Sequence, residues 1–268
     1  TELGGRVARE RKLPGLSAWG RVADYRAYQL SQRPNVETYF DSRLSAQEIL
    51  DFGFENVCIA TGAHWRADGV ARQHVVPMPA DPAMPVFTPD DIMAGRLPKG
   101  AVVVFDDDHY YMGGVMAELL AKVGCSVTLV TPSAYVSDWT LNTLEQGAIH
   151  RRLVENGVKI TLNTGIAALH AGGVETECVY TGATARLGCD AVVMVASRIS
   201  DDALYHDLLA RQGDLADAGI RSVKVIGDAC APGPIAWATY AGHRYARELD
   251  QPDIGDALPF RREVTQLA

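Results

Sequence analysis

Short apolar runs closed by glycine alternate along this chain with stretches of helical spacing. Ala101–Phe105, Val127–Val130 and Asp190–Ala196 are nearly continuous apolar runs of strand length, as expected of strands covered on both faces. Between the first two, Met112, Val115, Met116, Leu119, Leu120 and Val123 recur at helical spacing, with Glu118 and Lys122 paired on the outer side. Gly124 closes that helix. A further helix is predicted to run to about Asn156, stopped by Gly157, with Val158–Thr161 as the next strand. Val174–Tyr180 and Thr184–Leu187 read as a strand pair.

Upstream, Val36–Phe40 is a short β-prone run. Ser45-Ala46-Gln47-Glu48 is a capping box that opens a helix to about Asp51, and Gly53 ends it. Val57–Ala60 is then a strand that stops at Thr61-Gly62. Downstream, Val223–Ile226 is a strand, and a helix runs from about Pro234 to Leu249. Strand and helix alternate, which makes the fold class α/β with parallel sheet. A proline-rich stretch from about Pro77 to Pro98 is the best candidate for a domain boundary, and Thr88-Pro89-Asp90-Asp91 within it is a helix start.

Composition narrows the function classes. The chain has 268 residues, enough for one large domain or two ordinary ones. With 47% hydrophobic and 22% charged residues it is globular. A net charge of −8 argues against a nucleic-acid partner. It leaves room for a small anionic ligand, which backbone N–H groups can bind unaided. The apolar runs fall short of the roughly 20 residues a membrane helix needs. No signal peptide is readable, so the expected location is cytoplasmic. Cys58, Cys125, Cys178, Cys189 and Cys230 are scattered without CxxC spacing, as in a protein of reduced thiols. No metal site is expected within these residues, because the histidines also lack ligand spacing.

Ala101–Phe105 followed by a helix is where a dinucleotide fingerprint belongs. Its three glycine places hold Asp106, Asp108 and Tyr111, and Thr131 stands where the ribose-binding acid is expected. Two carboxylates repel a pyrophosphate, and a tyrosine ring fills the close-packing place. An NAD(P) site is therefore not expected there. Asp106-Asp107-Asp108-His109 also suggests a metal site, but adjacent acids on a turn are more simply read as solvated. Ser222–Asp228 is more informative: its strand places Asp228 at a carboxyl end, facing the start of the next helix. Asp228 can accept a hydrogen bond from a ribose or ribityl hydroxyl, or it can merely tie a strand-to-helix turn. His109 and His243 have no nucleophile or acid–base residue at a defined sequence spacing, so neither is read as catalytic. Trp19, Tyr25 and Tyr28 read as core or interface packing, with an electron-acceptor surface as the other option.

Several runs together resemble the C-terminal half of the trimethylamine dehydrogenase family, iron–sulfur flavoenzymes related to 2,4-dienoyl-CoA reductase. They are Leu3-Gly4-Gly5, Leu13–Leu16 with Trp19, Asp24-Tyr25-Arg26, Ala60–Ala63 with Trp65, and Asp108–Met112 with Ala117-Glu118-Leu119. Ile226–Ala229 and Gly242-His243-Arg244 complete the set. The resemblance implies two Rossmann-like units of FAD/NAD(P)-binding type, the second inserted into the first. Residues 1–95 and 198–268 would form an ADP/FAD-binding-like domain lacking its first βαβ. Residues 96–197 would form an NAD-binding-like domain with a degenerate fingerprint. The chain opens at Thr1 without Met, as if entered partway through.

The resemblance further implies FAD or ADP in the first unit. The nucleotide contacts would fall on Gly4, Gly5, Arg6, Arg43, Leu44, Ala60, Thr61, Gly62, Gly227 and Asp228, with no catalytic residue on this chain. FMN and a [4Fe–4S] cluster are implied for an N-terminal barrel that is not part of the sequence. The implied function is oxidative demethylation of a small N-methylated amine, with electrons passing to an acceptor protein, in a homo-oligomer. The alternatives are an NAD(P)H-dependent flavin reductase and a non-catalytic pair of degenerate Rossmann modules.

Overall fold

Apolar strand runs must be covered on both faces, and amphipathic helices must bury one stripe; their order along the chain sets the architecture. The computed structural model describes residues 2–249 and 251. Its helices are α1 (Arg6–Glu10), α2 (Arg21–Ser31), α3 (Ala46–Phe52), α4 (Pro89–Met93), α5 (Met112–Lys122), α6 (Gln146–Glu155), α7 (Ala203–Leu209), α8 (Gln212–Asp217) and α9 (Ile235–Glu248). The first strands are β1 (Asn56–Ile59), β2 (Ala63–Trp65), β3 (Val86–Phe87), β4 (Ala101–Asp106), β5 (Ser126–Val130) and β6 (Lys159–Thr161). They are followed by β7 (Thr164–His170), β8 (Gly173–Cys178), β9 (Thr184–Gly188), β10 (Ala191–Val195), β11 (Arg198–Ser200) and β12 (Ser222–Val225). The chain divides into two compact units, residues 1–41 with 64–199 and residues 42–63 with 200–268.

The first unit holds a five-stranded parallel sheet in the order β3-β10-β4-β5-β6. Successive side chains of a strand point to opposite faces. Val102, Val104, Val127, Leu129, Val193 and Val195 therefore share one face with Met112, Val115, Met116 and Leu120 of α5 and with Ile149 and Leu153 of α6. Val103, Phe105, Val130, Val192 and Met194 share the other with Ile166, Leu169 and Val174. These last three come from an antiparallel meander, β7-β8-β9. β10 is buried at every residue, which explains why its sequence shows no alternation.

The proline-rich stretch lies inside this unit rather than at its border. The carbonyls of Pro79 and Pro85 accept from the amides of Leu169 and Val192, and α4 starts on a capping box between Thr88 and Asp91. Val36–Phe40 is not a strand: Val36, Tyr39 and Phe40 are exposed, and no ladder partner stands beside them among the described residues. Tyr25 and Tyr28 are likewise not core, being 63% and 62% exposed on α2.

The second unit is smaller. β1 and β12 pair in parallel, with Ile59 opposite Val225. Ala46, Ile49 and Leu50 of α3 pack with Ile59, Leu208, Leu215 and Ile220. The Ser45–Glu48 capping box is formed, and Gly53 closes α3 in the left-handed conformation at φ 63°. Only Gly53–Glu55 separate α3 from β1, so the chain reverses sharply and α3 runs back along the strand. The start of α3 then lies toward the end of the sheet where β1 finishes.

Candidate functional site

In open parallel sheets ligands bind outside the carboxyl ends of the strands. Both units have such an end, and the chain treats them differently.

In the second unit, β1 runs into Ala60-Thr61-Gly62 and β12 into Ile226-Gly227-Asp228. The amide of Ile226 donates to the Ile59 carbonyl at 2.9 Å, so both turns leave the sheet side by side. Gly62 has φ 90°, and a Cβ there would meet nothing within 4 Å. Gly227 has φ 60° and opens a short 3-10 turn, Gly227–Ala229. Both values fall where glycine is favoured. The Thr61 hydroxyl donates to the Asp201 carbonyl, and the Asp201 amide donates to the Gly62 carbonyl at 2.9 Å. Ser200 Oγ donates to the Asp228 carbonyl at 3.0 Å. Asp228 Oδ1 accepts from the Gly233 amide at 3.0 Å, tying the segment before α9. Its carboxylate is thus oriented by backbone while sitting at a strand end that glycine leaves open.

Seven of the ten expected contacts belong to this unit. Ala60, Thr61, Gly62, Gly227 and Asp228 are brought together at the two strand ends. Arg43 and Leu44 sit on the approach to α3. Leu44 packs on the small core, and Arg43 is exposed. Gly4, Gly5 and Arg6 fall in the first unit. A Cβ on Gly4 would come within 2.7 Å of the Ala23 Cβ, so its glycine permits α1 and α2 to approach closely. Arg6 Nη1 donates to Glu10 Oε1 at 3.0 Å.

In the first unit, β5 and β6 lie to one side of β4, while β10 and β3 lie to the other. The end of β4 is therefore the point where strand order reverses, the usual ligand crevice of such a sheet. Here it is filled. Asp106 and Asp107 are fully buried, correcting the expectation of solvated acids. The amides of Asp107 and Asp108 donate to the Val195 carbonyl, which pins the turn to β10. Asp106 packs on Gly113 in the first turn of α5, where any Cβ would overlap its carboxyl. Tyr111 donates its hydroxyl to Glu10 Oε2 at 2.6 Å and meets Trp19 edge-on, ring centroids 4.4 Å apart.

Burial pushes the Asp106 carboxyl up to about 7, with Asp108 adding to the rise and His109 opposing it. Burial also raises Asp108, against the pull of Arg198, Arg72, His109 and Arg6. Tyr111 is raised by burial and then by Glu10. Arg198 stacks over the Trp65 ring, 5.4 Å from its centroid. The Glu10–Tyr111 bond and the arginines around Asp108 had no sequence signal, because their members come from distant segments. Among the described residues no group of three or more His, Cys, Asp or Glu side chains can hold a metal ion. No described helix is long and apolar enough to cross a membrane.

Comparison with known proteins agrees with this architecture. Residues 87–190 match the model of the OYE-like second alpha/beta domain. The chain is similar to the dimethylamine dehydrogenase of Hyphomicrobium sp. (strain x), 34% identical over 98% of this chain and 39% of that protein. It superposes on histamine dehydrogenase from Rhizobium sp. 4-9 with TM-score 0.95 and 74% identity, over 100% of this chain and 42% of that one. It superposes on the 6-hydroxypseudooxynicotine amine oxidase of Pseudomonas geniculata N1 with TM-score 0.84 and 46% identity, over 89% and 35% of the two chains. The chain thus spans roughly two fifths of the length of these relatives. The fold is mixed α/β with parallel sheets.

Proposed function

We propose that this chain is the nucleotide-binding, electron-transfer part of an iron–sulfur flavoenzyme that oxidises a small amine, removing an N-methyl group where the substrate carries one. The similarity to amine dehydrogenases over almost the whole chain carries this reading. The two strand ends support it. In the second unit, Gly62 faces open space that a nucleotide could use, and Asp228 lies at the neighbouring strand end with a carboxylate able to accept from a sugar hydroxyl. That end suits FAD or ADP, with Ala60, Thr61, Arg43 and Leu44 nearby in the chain path. In the first unit, Asp106 and Asp108 fill the place of a pyrophosphate. This opposes the reductase alternative and favours an electron acceptor other than NAD(P).

In this reading both units are Rossmann-like, one interrupting the other along the chain. The described residues do not fit an iron–sulfur cluster; in this reading a cluster and FMN would be held by residues other than these. When bound, those groups would accept two electrons from the amine and pass them on singly. This chain's own part is to hold the nucleotide and to exclude NAD(P). A cytoplasmic homo-oligomer that meets an acceptor protein belongs to the same reading.

The level of identity to the histamine enzyme favours histamine over an N-methylated amine as a second reading. The test is purification of the full-length protein, followed by its absorbance spectrum and turnover of dimethylamine and histamine with an artificial acceptor. Flavin and iron absorption, bleached by one of the amines, is expected. A colourless protein would favour the non-catalytic module, and micromolar NADH binding would restore the reductase.

A further inference from the structure

The turn from Asp106 to Tyr111 carries three acids, and Asp106 among them is buried with one oxygen unpartnered. Asp106 Oδ1 accepts from the His109 amide at 3.0 Å, but its Oδ2 is buried without a hydrogen-bond partner. Asp107 Oδ2 accepts from the Gln73 amide at 2.8 Å. Asp107 Oδ1 lies 3.4 Å from His109 Nε2, and neither atom makes a hydrogen bond. The nearby cations act on Asp108: Arg6, Arg72 and Arg198 all pull on that carboxylate, and Arg72 also reaches its carbonyl. On the α5 side Asp106 meets Gly113, which brings no charge. A fully buried carboxylate with acids beside it and no cation of its own is costly, and the neutral acid costs much less.

The same turn also carries Tyr111, and through it the clasp on Glu10, which is fully buried in α1, and on Trp19. His109 is held at φ 63° between the two, a conformation that residues other than glycine seldom adopt. We propose that the β4–α5 turn is a proton-held latch: a neutral Asp106 keeps it closed over Gly113, and ionisation of Asp106 opens it, releasing Tyr111 from Glu10 and loosening residues 6–19.

The sign follows from linkage. The closed turn holds its proton up to about pH 7, whereas an open one releases it near the ordinary value of 3.8. Closure therefore weakens as pH rises between those values and levels off above the upper one. Asp107, Asp108 and His109 face Asp106 from its own turn. Glu10 and Arg6 of α1, Arg72 from the preceding loop and Arg198 of β11 surround Tyr111 and Asp108.

Hydrogen–deuterium exchange of residues 6–19 and 106–116 in the full-length protein tests this, from about pH 5 to about pH 8 and corrected for the intrinsic rate. The opening constant of both segments should rise up to about tenfold per pH unit and flatten above about pH 7. Asp106→Asn should abolish that rise in both segments, while Tyr111→Phe should leave it in 106–116 and uncouple 6–19. Should D106N not fold, the infrared carbonyl band of a protonated carboxyl in the unsubstituted protein should fade over the same range. A flat exchange profile, an unchanged slope in D106N, or no such band at low pH overturns the latch.

Discussion

The two strand ends follow the same plan of parallel strand, turn and helix, yet they reach opposite outcomes. At the end of β4 the turn carries three acids, and the core of a five-stranded sheet closes over two of them. At the ends of β1 and β12 the turns carry Thr61-Gly62 and Gly227-Asp228, on strands that are mostly half-buried. A large core can enclose acids, because desolvation of one group is outweighed by the apolar area buried around it. A small one leaves its strand ends accessible, and glycine keeps that access clear. What distinguishes a filled crevice from an open one here is which residues follow the strand and how much sheet stands behind them.

Truncation within the sheets should separate the units most. Leu129→Ala, fully buried in β5, should cost about 2–5 kcal/mol in chemical denaturation. Val225→Ala, half-buried in β12, should cost about 1 kcal/mol. Equal losses would remove the contrast.

The next effect is electrostatic. An unfolded chain ionises Asp106 near 3.8, while the folded unit holds the proton to about 7, so stability falls as pH rises through that window. The loss amounts to about 4 kcal/mol and stops above the folded value. Denaturation of the wild type and of Asp106→Asn at both ends of the window measures it, and a parallel pair of profiles would break the assignment.

Asp228→Ala should weaken ADP binding to the full-length protein by at least about tenfold in calorimetry, as loss of a charged acceptor implies. Asp106→Asn should leave ADP affinity unchanged. The reverse result would exchange the roles of the two ends. Ser45→Ala should have the smallest effect, about 1 kcal/mol, as a lowered melting temperature from loss of the cap on α3.

Much of this was legible where the physics is local. β4, β5 and β10 stand within a residue or so of their apolar runs. The Ser45–Glu48 capping box and the helix start at Thr88 both formed, because each needs only one turn of helix. The paired strand ends bearing Ala60–Gly62 and Gly227-Asp228 were readable as two small-residue stops, and the parallel ladder aligned them. Val36–Phe40 failed as a strand because β-propensity does nothing without a partner. β7 was missed because Thr164–His170 mixes small, polar and apolar residues, and its identity comes from pairing with β8. α7 and α8 lacked a long enough stripe to be seen.

The sequence by itself determined the alternation of strand and helix, the helix caps, the absence of a glycine fingerprint after β4, and the small residues that end β1 and β12. These depend on neighbours within a few positions. Only the tertiary structure decided that the proline-rich stretch lies inside a unit, that Gly4–Arg6 fall in a different unit from the other expected contacts, and that Asp106 and Asp107 are buried. It alone joined Tyr111 to Glu10 across 101 positions. Burial and charge pairing are properties of what the rest of the chain brings up to a residue, so of three acids that read as solvated in sequence two became buried in the fold.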